Sequence, residues 1–175
     1  MSLNEELHES ADHADDALSR RAAAAMAIVA ACLAVVAVAG HMMTTEELLA
    51  QQKASDQWSY YQAKSIRRYQ SDVARDILSQ WQGAAAEKLT EKYVANVERY
   101  EKDGEAIKEK ATELEHESAL AGHKALRLHF GEVFLEIAIV LASLAILARR
   151  NVFFYAGVAS GLAGVLIAAS SLLLG

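Results

Sequence analysis

Residues 22–43 read AAAAMAIVAACLAVVAVAGHMM, residues 131–148 read GEVFLEIAIVLASLAILA, and residues 152–174 read VFFYAGVASGLAGVLIAASSLLL. The only carboxylates in these runs are Glu132 and Glu136, and no lysine or arginine falls in them. A helix of about 20 apolar residues rises about 30 Å, the thickness of a bilayer's hydrocarbon core. The three runs predict three transmembrane helices, and the fold class is an all-α membrane protein. The overall hydrophobic content of 53% is only slightly above globular usage, so its segregation into runs carries the reading.

The remaining composition limits function. A formal net charge of -6 excludes a nucleic-acid partner, which requires a basic surface. The one cysteine, Cys32, lies in the first run, so no disulfide framework exists. With no proline, the nine glycines are the only strong punctuation. Ala37-Val38-Ala39 before Gly40 has the small-x-small form of a cleavage site. The lead before that run, however, carries Glu5, Glu6, Glu9, Asp12, Asp15 and Asp16 against Arg20 and Arg21. That acidic lead is wrong for a secretory signal, and the run reads as an uncleaved anchor.

Arginine placement predicts orientation. Arg20 and Arg21 abut the first run, and Arg149 and Arg150 form most of the link between the second and third. Short basic flanks stay in the cytoplasm, which places the N-terminus inside and the middle segment and C-terminus outside. Segments longer than about 60 residues translocate largely regardless of charge. A cytoplasmic middle segment is the alternative.

The middle segment, 44–130, has no strand signature and reads as helix. Tyr93, Val97, Tyr100, Gly104, Ile107, Ala111, Leu114, Ser118, Ala121, Ala125 and Leu128 alternate steps of four and three, a coiled-coil seam. Leu48, Leu49, Trp58, Tyr61, Ile66, Tyr69, Val73, Ile77 and Trp81 give a looser apolar face in the first half. Both ends of the segment meet one membrane surface, so its outgoing and returning helices must match in length. A turn near Gly83 gives arms of roughly 60 and 70 Å, whereas one at Asp103-Gly104 gives arms differing by more than about 40 Å. The expectation is a long antiparallel helical hairpin with its tip near 83, and a kink at Gly104.

Residues 1–21 read as an acidic amphipathic helix. Ser2 and Glu5 have capping-box spacing, and Leu3, Leu7, Ala11, Ala14 and Leu18 mark one face. Glu9, Asp12, His13 and Asp16 share another face that could take a divalent cation. Nothing fixes a coordination number, so a solvated helix is favoured and no metal is expected. The candidate polar site is at the far end of the second run. His129, Glu132 and Glu136 follow i, i+3, i+7 and share a helical face. Glu136 lies roughly 20 Å from Arg149, inside the hydrocarbon slab. A carboxylate there should face the bundle and hold a partner, for which His41 is the candidate, or be protonated. The favoured structural reading puts Glu132 in the headgroup zone and makes Glu136 a hydrogen-bonded helix-pairing residue; the functional one is an ion or proton pathway.

In the third run Gly157 and Gly161 form a GxxxG, and Ser160, Gly164 and Ala168 repeat small residues on an adjacent face. Ala23, Ala27, Ala31 and Ala34 do the same in the first. Such faces permit close helix contact within or between subunits, and a homo-oligomer is expected. Phe153, Phe154 and Tyr155 beside Arg149 and Arg150 fit an interfacial belt.

The string KASDQWSYYQAKSIR at 53–67, with GEVFLEIA at 131–138 and the Arg149-Arg150 link, resembles a bacterial membrane family catalogued as domain of unknown function 4337. The resemblance covers most of the chain. It implies a three-span protein of the bacterial cytoplasmic (inner) membrane and brings no activity, cofactor or catalytic residue. No phosphate loop, nucleophile elbow or Cys/His metal spacing occurs, and His116 and His123 lack a carboxylate constellation, so an enzyme is not expected. The leading expectation is a structural or scaffolding membrane protein, an oligomer whose projecting hairpin organises itself or a protein partner. The alternatives are an ion or proton transport component using the intramembrane carboxylates, and an accessory subunit of a larger complex.

Overall fold

Long helices without proline lack the usual cause of a break. The computed structural model, which describes the backbone of residues 3–174 and the side chains of 17–174, follows that rule. Helix α1 covers Leu3–Leu78, α2 Ala84–Ala148 and α3 Asn151–Ala169, followed by a 3-10 turn at Ser170–Leu173. No strand occurs among the described residues. All three helices hold windows long and apolar enough to cross a membrane. The third run therefore ends as a 3-10 turn rather than continuing as α-helix to 174.

The chain breaks twice. After Leu78 the amides of Gln80 and Trp81 donate to the Ile77 and Leu78 carbonyls, the tightened pattern of a helix end. Gly83 then takes φ 128°, open to glycine because it has no Cβ, and its carbonyl accepts from Ala86 and Glu87 to start α2. The second break is Arg149, at φ 50°, with Arg150 extended as the N-cap of α3. The acidic face at Glu9, Asp12, His13 and Asp16, with Ser2, Leu3, Glu5, Leu7, Ala11 and Ala14, lies outside the described side chains.

The contacts separate into two compact units, Glu46–Ala119, and Met1–Thr45 with Leu120–Gly175. In the first, α1 and α2 meet along buried Ala50, Ala54 and Ser71 on one helix and Ile107, Ala111 and Leu114 on the other. Gly104 is also buried, while Tyr93, Val97 and Tyr100 are half-buried. The polar contacts give the direction of pairing. Ser118 Oγ donates to the Glu47 carbonyl (3.1 Å), Trp58 Nε1 to Glu115 (2.7 Å), Lys64 to Asp103 (2.7 Å) and Arg68 to Glu101 (3.1 Å). As numbers rise on α1, partners fall on α2. Gly104 sits within α2 and does not break it. A Cβ there would touch the Tyr61 ring at 3.5 Å, an ordinary contact.

The second unit packs on small residues. Gly131 of α2 lies so close to Gly164 of α3 that a Cβ on either would come within 2.8 Å of the other's carbonyl oxygen. Gly157 approaches the Ala138 carbonyl, and Leu135, Ala138, Ala142, Ala145 and Ala168 are buried around them. Such contact gains dispersion energy, which grows with closeness. Gly157, Gly161, Gly164 and Ala168 are all buried, and Gly161 also meets Val29 of α1 at ordinary distance. Ala23, Ala27, Ala31 and Ala34, in contrast, are all exposed. The apolar window of α1 is only 6% buried, against 28% for α2 and 22% for α3.

Candidate functional site

Positions three apart on a helix stack on one side, so His129 and Glu132 meet directly. His129 Nδ1 lies 3.1 Å from Glu132 Oε2. The far nitrogen, Nε2, lies 3.2 Å from Thr44 Oγ1 of α1. That hydroxyl is also 3.0 Å from the Gly40 carbonyl. Gly40 makes room for the imidazole, since a Cβ there would stand 3.2 Å from His129 Cε1. His41 sets its ring edge-on to His129, with centroids 6.2 Å apart. Its carbonyl accepts from Thr45 Oγ1 at 2.9 Å.

Proton counting defines what this group can do. Thr44 has one hydroxyl proton and two acceptors within reach, Gly40 and a neutral His129 Nε2. When His129 carries a second proton, Nε2 donates to Thr44 and the hydroxyl proton turns to Gly40. Glu132 then faces the charged ring. The arrangement links Glu132, His129 and Thr44 in one hydrogen-bonded group that ends on the Gly40 carbonyl. Among the described residues no cluster of three His, Cys, Asp or Glu side chains could hold a metal ion.

His41, His129 and Glu132 are thus brought together, and Glu136 is not. The expectation that Glu136 faces the bundle beside His41 is corrected: its side chain is exposed and has no partner within the described residues. The α2 positions buried around Glu132 and Glu136 are Gly131, Leu135 and Ala138, so the two carboxylates flank that stripe rather than occupy it. Thr44 reaches across to His129, Glu132's partner.

Several contacts of consequence were not expected from the sequence. Thr44 completes the histidine group, and its position at the end of an apolar run was the only available signal. Arg127 Nη1 donates to the Ser170 carbonyl at 2.9 Å, satisfying an orphan acceptor at the end of α3. Ser160 Oγ donates to the Phe134 carbonyl at 2.8 Å. In the other unit, Lys64 Nζ stands 5.4 Å from the ring centroids of both Tyr60 and Tyr100. Its hydrogen bond to Asp103 raises the Lys64 pKa above the ordinary lysine value and lowers that of Asp103 below the ordinary carboxylate value. His116 and His123 are both exposed.

No curated protein and no solved structure matches the chain at a significant level. A family model described as a domain of unknown function (DUF4337) matches residues 18–174, and the chain belongs to that family.

Proposed function

We propose, from that membership and the geometry above, that this is a structural membrane protein that assembles through its helical hairpin. Copies of the chain associate through the hairpin. The observation that carries the proposal is a stripe on α1. Ile66, Tyr69, Val73 and Ile77 step by three and four residues and are between 53% and 60% exposed. Their neighbours Gln62, Arg67, Gln70 and Asp76 are polar, so the stripe lies in a segment suited to water. A contiguous apolar stripe in such a segment marks a protein contact. Exposed Ala23, Ala27 and Ala34 of α1 extend the same need for a partner into the spans. So does Glu136, whose exposure to hydrocarbon alone costs a few kcal/mol on insertion scales (~3).

Light scattering and native mass spectrometry of the full chain in mild detergent test this reading. Wild type should run as a defined oligomer. The double variant Tyr69→Glu, Ile77→Glu should dissociate with unchanged helical content. A monomeric wild type, or an oligomer indifferent to both substitutions, contradicts the proposal. The hydrogen-bonded His129–Glu132–Thr44 group favours a second reading, proton or ion transport. In liposomes that reading requires a flux lost in Glu132→Gln, and wild-type vesicles as tight as protein-free ones refute it.

A further inference from the structure

Beside α1, within the unit that contains the apolar runs, lies an open groove of about 760 Å³. Sites for small ligands run from roughly 300 to 1,000 Å³. Ala31, Val35 and Met42 of α1, Leu128 of α2, Val165 of α3 and Leu172 of the terminal turn give it an apolar wall. Lys124 is the one charged residue that lines it. Among the described residues Lys124 has no ion pair or hydrogen bond. The neighbouring polar groups are already used: Ser171 Oγ donates to the Ala168 carbonyl and Arg127 to that of Ser170.

The dimensions match half a bilayer. From Met43 to Ala31 the groove follows α1 for roughly 18 Å, where one leaflet's hydrocarbon is roughly 15 Å deep. Lys124 precedes Arg149 by 25 residues, which is about 37 Å along α2. With Arg149 at one membrane face, that length passes a hydrocarbon slab of about 30 Å and ends among the headgroups opposite. An apolar slot of leaflet depth with an unpaired ammonium at its headgroup end is complementary to an anionic amphiphile. A second copy of the chain fits less well. Glu132 is engaged by His129, and Glu136 lies about 18 Å along the helix from Lys124.

We propose that this groove holds one acyl chain of an anionic phospholipid, with Lys124 at the headgroup phosphate. The proposal rests on the membrane-spanning reading above. Native mass spectrometry after delipidation and exchange with equal phosphatidylglycerol and phosphatidylcholine tests it. Wild type should retain phosphatidylglycerol in preference. Lys124→Ala should lower that retention about fivefold, the weight of one basic residue at an anionic surface, and leave phosphatidylcholine unchanged. Val35→Trp, which fills the slot, should expel both. Three results overturn the proposal: equal retention of the two lipids by wild type, displacement of the lipid by inorganic phosphate, or disulfide cross-linking of Val35→Cys between copies in a Cys32→Ser background. Alkaline carbonate extraction separates the two levels. Release of wild type sinks the membrane reading with the groove, whereas firm retention without lipid preference sinks the groove alone.

Discussion

The unit Glu46–Ala119 and the unit that holds the apolar runs are both built from packed helices, yet they are held by opposite means. In the first, bulky Ile107 and Leu114 fill the interface and polar side chains fix its direction at Trp58–Glu115, Lys64–Asp103 and Arg68–Glu101. In the second, fully buried Leu135 stands beside close backbone approaches, with Gly131 against Gly164 and Gly157 against the Ala138 carbonyl. Water rewards burying volume, so the first unit should fail when a side chain is removed. In the proposed membrane reading lipid gives little such reward, and the glycine contacts of the second unit should fail when a side chain is added.

The largest expected effect follows directly. Ile107→Ala should cost roughly 2–5 kcal/mol by removing transfer energy and leaving a cavity. Thermal unfolding followed by circular dichroism, with helix loss assigned by hydrogen exchange to 46–119, measures it. Next comes Gly164→Ala, which places a methyl 2.8 Å from the Gly131 carbonyl oxygen. Forcing that contact apart should cost about 1–3 kcal/mol, and exchange protection should fall in α3 rather than in 84–119. Equal sensitivity of both units to both variants would erase the distinction.

Gly104→Ala sharpens the comparison by reversing sign. Its Cβ finds ordinary contact with Tyr61 at 3.5 Å, so the relief of a helix-interior glycine should dominate. A stabilisation of up to about 1 kcal/mol in the same melt is expected. The reading of Gly104 as a kink would require the opposite.

The smallest effect concerns pH. Asp103 is lowered from 3.8 by its bond to Lys64, so its contribution is present above that value and fades as pH falls through the lower folded one. Lys64 is raised from 10.5, so its contribution is complete below that value and is lost as pH rises through the folded one. Melting of 46–119 should therefore show no dependence on this pair between those limits. It should show a small acid-side loss that disappears in Asp103→Asn.

The same contrast explains what could be read in advance. In 84–119 apolar residues stand out against charged ones, so the four-three rhythm through Ile107, Ala111 and Leu114 is visible as a stripe, and the structure buries those residues. The chain-length argument for a turn near Gly83 used only the rise of a helix. Inside the apolar runs that contrast vanishes, and only small residues mark a face. Gly157, Gly161 and Gly164 were legible for that reason. Gly131, standing beside Glu132, was not, because its role depends on the residue opposite. The four exposed alanines of α1 show that a small-residue stripe does not reveal which neighbour will use it. Glu136 was misplaced because a shared face does not mean shared cover. Its helix turn lies beyond the reach of Thr44, which a spacing rule along one helix does not register.

Cysteine labelling with a membrane-impermeant maleimide, in a Cys32→Ser background, tests most directly the claim that the apolar helices span a bilayer and carry the hairpin on one side. Gln82→Cys at the helix turn should label in intact cells, and Asn151→Cys beside the arginine pair only after the membrane is opened. Labelling of both positions from the same side would contradict the account.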